Sequence, residues 1–505
     1  MERHRKAVTK IAASVKQFFD RKEAYRIFHG STNSTRPGRR PGTRVVDISA
    51  LSNVLEVNPQ TRTALVEPNV PMDRLVEHTL KHGLVPPVVM EFPGITAGGG
   101  YAGTAGESSS FKHGFFDDTV ESIEMILADG EVVTASRDQK PELFTGAAGA
   151  VGTLGVTTLL ELQLMKAKPF VRTTYRRTHS VAEAVATVQE EVARPGNDYV
   201  DGILFSKDHG VVITGSLTES KPDDAKPQTF SGAWDPWFYL HVKDRTRDVS
   251  AGGAAPTDYI PLAEYLFRYD RGGFWVGTAA YQYFKLVPFN RFTRWFLDDF
   301  LHTRMMYRAL HGSGESARFV VQDLAMPFET TERFVDYTAE EFGIWPLWLC
   351  PLRRRAPPTF HPFTTPPSTE ATKTETPEMM LNVGLWGWGP AKPDEFIAKN
   401  KGLEAKLREL GGMKWLYAHT YYDQDKFWDM YEGRGWYDEL RTKYHATSLP
   451  TVYDKVKVDE AVSQRKRHWL KSIPPIGGLY GIWKSIQSKD YLLHRNSTWK
   501  YKGGS

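Results

Sequence analysis

The sequence predicts an α+β protein. Three observations carry this. Short apolar runs bounded by turn residues recur from Arg44 onward, as strands do. Helical spacing interrupts them without the regular strand–helix alternation of a parallel sheet. The pair Asp129-Gly130 between two alternating runs marks a hairpin, which joins antiparallel neighbours. The 505 residues accommodate two or three domains.

Taken in order, Val8, Ile11, Ala12, Val15 and Phe18 recur at helical spacing and predict an N-terminal helix packed on the body. The runs "TRVVDIS", "VLEVN" and "TALVEP" read as strands. A helix follows over "PMDRLVEHTLKHG", with Pro71 near its start and Gly83 at its end. "TVESIEMILADGEVVTA" reads as strand, turn, strand. "PELFTGAAGAVGTLGVTTLLELQLM" reads as a short helix, a glycine turn and a long strand. These segments predict a compact domain over residues 1–168. Residues 169–438 mix strands with aromatic-rich segments and predict a second domain. Within it, the Pro- and Thr-rich residues 353–378 read as a long surface loop, followed by a strand at "MMLNVGLWGWG" and a helix at "PDEFIAKNKGLEAKLRELGG". Residues 439–458 are expected to return to the first domain, and 459–505 form a basic and aromatic extension.

Composition excludes several classes. The net charge of +4 is too small and too dispersed for a dedicated nucleic-acid binder. The single cysteine, Cys350 in "IWPLWLCPL", permits neither an intramolecular disulfide nor a cysteine-based metal site, and no metal is expected; the thiol reads as a small buried hydrophobe. No run of about 18 apolar residues occurs, so no transmembrane helix is expected.

The stretch "FPGITAGGGYAGTAGESSSFKHG", residues 92–114, contains Gly98-x-Gly100-x-x-Gly103, the spacing of a dinucleotide fingerprint. That fingerprint needs a strand before it and a helix after it. Here Pro86, Pro87 and Pro93 spoil the strand, and "TAGESSSFKHGFFDD" has no apolar face at helical spacing. The reading favoured instead is a loop of glycines and hydroxyl residues whose N–H groups converge on an anion. "FHGSTNSTRPG", residues 28–38, and "GAAGAVGTLGVTT", 146–158, are two further such turns. Three in one domain suit an extended flavin dinucleotide.

In this order the three loops resemble the FAD-binding domain of the vanillyl-alcohol oxidase, or PCMH-type, flavoproteins. More narrowly, "GTAGESSS", "YIPLAEYLFRYDRGGFW", "VVQDLAMPFE", "IWPLWLCPL" and "LPTVYDK" resemble the Δ24-sterol reductase family over roughly residues 25–458. The resemblance implies a PCMH-type fold with a cap domain built on an antiparallel sheet with flanking helices, non-covalent FAD, and NADPH as electron donor. It places FAD against His29, Gly30, Ser31, Thr32, Asn33 and Ser34 of the first loop. In the second loop it points to Thr96, Gly99, Gly100, Gly103, Thr104, Gly106, Glu107, Ser108 and Ser109, and in the third to Gly152, Thr153, Gly155 and Val156. Wider relatives attach flavin through a histidine of the first loop; Asn33 stands at that place and cannot form the bond, while His29 and His113 lie outside the matching position. An N-terminal membrane segment of the kind the animal reductases carry is not expected from the first residues of this sequence. The implied setting is intracellular, cytosolic or held peripherally at the endoplasmic reticulum membrane.

The implied reaction reduces the side-chain C24–C25 double bond of a sterol. An isolated alkene is not polarised, so a proton to C24 must accompany hydride from flavin N5 to C25. That requires an acid beside an apolar slot, and burial keeps a carboxyl protonated. The candidates are Asp323 in "VVQDLAMPFE", then Tyr421, Tyr422 or Asp423 in "LYAHTYYDQDKFW"; Tyr259 and Arg268 are candidates for lining the site. Trp275, Trp345, Trp348, Trp386 and Trp388 are candidates for a flat sterol slot. "RPGRRPGTR" and Arg353–Arg355 are candidates for the NADPH 2′-phosphate. Arg465, Lys466, Arg467 and Lys471, with Trp469, Leu479, Tyr480, Ile482 and Trp483, suggest peripheral membrane contact. A flavin oxidase or dehydrogenase acting on an alcohol or another lipid, and a non-enzymatic sterol- or flavin-binding protein, remain as alternatives; oligomeric state is open.

Overall fold

The computed structural model describes residues 1–30, 44–365, 379–458 and 476–503. Two antiparallel sheets organise them, in agreement with the α+β reading. The first has five strands in the order Val54–Asn58, Thr63–Val66, Gly155–Gln163, Val120–Leu127, Val132–Ser136. The Asp129-Gly130 turn joins its last two strands, with Gly130 at φ +93°. A small parallel pair, Arg26–Phe28 with Val45–Asp47, lies beside it.

The N-terminal helix, Glu2–Asp20, buries Val8, Ile11 and Val15 at the spacing that predicted it. It also buries His4, whose ring is held by Glu67 at 2.9 Å and Glu124 at 3.0 Å, so the helix is fixed by polar groups as well as by packing.

The second sheet has eight strands, ordered Thr257–Pro261, Phe170–Thr178, His209–Thr218, Tyr199–Ser206, Leu347–Arg353, Met379–Trp388, Phe319–Met326, Met413–Lys414. Its central strands read as continuous apolar runs because both faces are covered. One face packs on helices Val181–Ala193, Phe328–Glu341 and Pro393–Glu409. The other meets the first sheet's domain across the candidate site. Cys350 is buried on a central strand.

Two expectations need correcting. The glycine stretch does form a helix, Ala97–Ala102, with the Thr96 hydroxyl accepting from Gly99 N–H at 3.1 Å. Its six residues are mostly glycine and alanine, so no apolar periodicity announced it. The expected surface loop is only partly one: Arg353, Ala356, Pro358 and Thr365 are exposed, but residues 359–362 between them are buried. Phe360 packs among Trp428, Tyr431, Trp436 and Tyr437, and buried His361 contacts Asp117 at 2.8 Å. Residues 366–378 lie outside the described residues.

Candidate active site

A cavity of about 1100 Å³ opens between the two sheets. That exceeds the roughly 300–1,000 Å³ of ordinary small-molecule pockets. Its walls differ in character.

One wall is bare backbone. Gly98, Gly99, Gly103 and Gly106 come from the central glycine stretch, and Gly152 and Gly155 from the third loop. These glycines are there because the chains approach too closely for side chains. A Cβ on Gly98 would stand 2.6 Å from Pro68 Cβ, and one on Gly155 2.5 Å from the Ile126 carbonyl oxygen. Arg26, Lys455 and Lys457 add positive charge to this wall. We expect Gly155→Val to lower the flavin absorbance recovered per mole of purified protein, because the Ile126 carbonyl cannot move without opening the strand pair.

The opposite wall is apolar. Phe274, Trp348 and Trp386 cluster there, with ring centroids 4.6 Å apart for Phe274–Trp386 and 5.9 Å for Trp348–Trp386. Thr303, Met306, Tyr307 and Leu310 reach the cavity from one face of helix Thr303–Ser313. Arg304 anchors that helix to the first domain through two hydrogen bonds to Asp73, at 2.7 and 2.9 Å.

Asp323 sits where the walls meet: its Oδ1 and the Trp386 ring both lie against Gly384, and the Cβ of its partner Tyr417 lies 4.0 Å from where a Cβ on Gly103 would stand. Burial pushes its carboxyl up to about 6, against the opposing pull of hydrogen bonds from Tyr417 and Asn382. Asn382 Nδ2 donates to Asp323 Oδ1 at 2.9 Å, and the Tyr417 hydroxyl donates to Oδ2. The Asp323 carbonyl accepts from Trp415 N–H at 3.1 Å, which fixes the backbone. Burial raises the Tyr307 and Tyr417 phenols, so both stay neutral donors.

Two further carboxyls line the cavity, Glu91 and Glu107. Burial and their mutual proximity hold Glu107 well above the usual carboxylate range. Burial raises Glu91 to about 8 although Arg268 lies 2.7 Å away, because Arg268 is shared with Asp201 at 3.0 Å. One cation faces two carboxyls, and one of them keeps its proton. Glu91 Oε2 is buried without a protein partner.

The structure brings His29, Gly30, Thr96, Gly99, Gly103, Gly106, Glu107, Gly152 and Gly155 to the cavity. It does not bring Gly100, Thr104, Ser108, Ser109, Thr153 or Val156. Gly100 packs on Met90 and Phe116, and Val156 is buried within its strand. Thr104 donates to the Gly103 carbonyl, Ser109 to Pro87, and Thr153 to Ala150; Ser108 lies between Glu91 and Arg268. Ser31, Thr32, Asn33, Ser34 and residues 36–43 lie outside the described residues. Of the proposed acids only Asp323 is in place. Tyr421 lies under the far face of the second sheet, its N–H held by Glu404 at 2.9 Å, and Tyr259 is on the outermost strand. Tyr422 donates to the Glu404 carbonyl, and exposed Asp423 caps helix Gln424–Met430.

Arg268 is not a lining residue; it lies beneath the wall, tying Glu91 to Asp201. Trp348 and Trp386 line the cavity, while Trp275 supports Trp386 from behind at 5.5 Å. Trp388 bonds Ala279 and Trp345 packs on the second core. Arg353 and Arg355 are occupied by the Phe111 carbonyl and by Asp117.

Sequence reading missed Tyr417, Asn382 and Glu91. Asn382 carried a signal: a lone amide inside the apolar run "MMLNVGLWGW" demands a buried partner.

The chain matches the family described as FAD binding domain over residues 6–136. It is 28% identical over 435 residues to the Delta(24)-sterol reductase of Homo sapiens, covering 84% of this chain and 80% of the relative. It is 29% identical over 440 residues to that of Arabidopsis thaliana, covering 82% and 76%.

Fold, cavity and likeness together define an FAD-dependent oxidoreductase. Within that class, its relatives along most of the chain are the Delta(24)-sterol reductases of animals and plants. The cavity suits FAD: the bare glycine wall and the adjoining cations are what a large, polar, anionic group requires. Among the described residues no helix is long and apolar enough to cross a membrane.

Proposed function

We propose that this protein reduces the side-chain C24–C25 double bond of a sterol, using NADPH and non-covalently held FAD. We divide it into a flavin-holding unit at 1–168, a cap at 169–438 and a return segment at 439–458. The bonds from Lys443 and Tyr444 to Glu142, and from Lys455 Nζ to the Val151 carbonyl, support the return. FAD would be held by His29, Gly30 and the glycines of the second and third loops. When bound, it takes the electrons of NADPH and supplies hydride to the tertiary carbon C25.

The chain's own residues do the rest. The aromatic wall of Phe274, Trp348 and Trp386 offers a flat apolar surface to a sterol. Asp323 delivers the proton to C24, and Tyr417 and Asn382 hold its carboxyl in place. An apolar substrate filling the cavity would exclude water and push that carboxyl further up. The observation that carries the reading is the position of Asp323, buried between the glycine wall and the aromatic wall. A sterol dissolves in lipid and not in water, so the reading includes contact with a membrane surface.

The purified protein is expected to be yellow, to bleach when NADPH is added without oxygen, and to convert a Δ24-sterol to a product two hydrogens heavier by mass spectrometry. Bleaching by an alcohol, with NADPH leaving the flavin oxidised, would overturn the reductase reading in favour of an oxidase.

A further inference from the structure

Helix Ile476–Ser488 has its sequence pattern reversed for a water-facing helix. Gly477, Gly478, Gly481 and Ser485 are buried, while Ile476, Leu479, Trp483 and Ile486 face outward. A helix on a soluble surface turns its bulky apolar side chains inward. Here the small side is needed for close packing. A Cβ on Gly481 would stand 2.3 Å from the Ala309 carbonyl oxygen, and one on Gly478 2.5 Å from the Tyr283 and Phe284 rings. Small residues between helices and bulky apolar residues outside are the packing of helices in lipid.

The neighbouring segment has the same character. It runs on from Phe284, which touches Gly478, and exposes Leu286 at 96%, Phe292 at 59% and Phe296 at 70%. Lys285, Arg291, Lys484 and Lys489 are exposed among these residues, and the Lys484 Nζ lies 4.8 Å from the Trp483 ring centroid. The nearby acids are paired within the protein, Asp490 with Arg308 and Asp299 with His494 and Arg495. The patch therefore presents apolar and cationic groups together, as interfacial segments do.

The helix beneath is Thr303–Ser313, whose other face walls the apolar part of the cavity. Over its 13 described residues the outer helix is about 20 Å long, shorter than the roughly 30 Å hydrocarbon core, and it suits a position along a bilayer surface.

We infer that the surface formed by Ile476–Ser488 and the Leu286–Phe296 segment docks on an anionic lipid bilayer, setting the cavity-lining helix Thr303–Ser313 against the membrane. The inference rests on the proposed function for its purpose, since a lipid-dissolved substrate must enter from the bilayer, but its test is separate.

The full chain, flavin bound, is sedimented with phosphatidylcholine vesicles with and without phosphatidylserine. Binding is expected in both and tighter with phosphatidylserine. L479E/W483E and, independently, F292E/F296E are expected to weaken it by more than about tenfold. Their melting temperature and sterol reduction in detergent micelles should stay at parental values. A parent that stays in the supernatant, or variants that bind as well as it does, would overturn the inference. So would a parental dimer by light scattering that these changes convert to a monomer, since a second copy would then cover the patch. Vesicle binding without reduction in detergent would sink the reductase reading and leave the surface standing.

Discussion

Asp323→Asn is expected to lower sterol reduction by about a hundred- to ten-thousandfold while flavin binding survives. The amide preserves size; its oxygen can accept from Asn382 Nδ2 while its NH2 donates to the Tyr417 hydroxyl, so the local packing is kept. What it cannot do is give up a proton. Bleaching of the flavin by NADPH needs no proton from Asp323 and should persist, which separates this residue from the flavin cradle. The pH profile sharpens the test. An acid whose pKa is raised by burial is competent below that value and fails above it. The descending limb of kcat/KM is therefore expected at or above about pH 6, with kcat falling at still higher pH once the substrate excludes water. Tyr417→Phe removes a hydrogen bond that favours the ionised carboxyl, so it should move the limb upward rather than abolish activity. If Asp323→Asn reduces the sterol at the parental rate, the proton comes from elsewhere, with Glu107 the next carboxyl in the cavity.

The five-stranded sheet, its hairpin and the amphipathic N-terminal helix were legible because each rests on local periodicity or a two-residue turn. The three glycine turns were legible as a set. Which of their residues face the cavity was not, because Ser108 and Gly106 share one sequence run yet take opposite sides of the wall. Asp323 could be named as one candidate among several because the implied reaction asks for an acid beside an apolar slot, and "VVQDLAM" offers one. Its setting could not be foreseen. Asn382 follows it by 59 residues and Tyr417 by 94, and only the pairing of strands Phe319–Met326, Met379–Trp388 and Met413–Lys414 assembles them. Tyr421 and Tyr417 stand in one quoted segment and end on different sides of the second sheet. The burial of His361 was hidden for the same reason: its partner Asp117 lies 244 residues earlier.

Arg268→Met is expected to be the most damaging substitution for stability, at about 3–5 kcal/mol. Arg268 is fully buried, stacked on Tyr265 at 4.1 Å, and joins Glu91 of the FAD-binding region to Asp201 of the second sheet. Asp201 in turn accepts from Tyr269 at 2.9 Å and from Trp348 of the cavity wall at 3.2 Å. Methionine fills most of the volume, so packing alone predicts a small effect; the large one comes from stranding a carboxylate without its cation. The two causes differ in pH dependence. In the parent, Glu91 is protonated up to about pH 8 when folded and only to its ordinary 4.5 when unfolded, so stability declines as pH rises between these values. Glu91→Gln should flatten that decline with little loss of stability. In Arg268→Met, Glu91 also loses the cation that pulls its pKa down, so the decline should extend further and the variant's deficit should grow as pH rises above about 8. A melting-temperature deficit that is constant with pH would show that Arg268 acts by packing and not by charge. Adding Asp201→Asn to Arg268→Met should restore much of the loss, because the amide is still able to accept from Tyr269 and Trp348 and no longer needs a counterion.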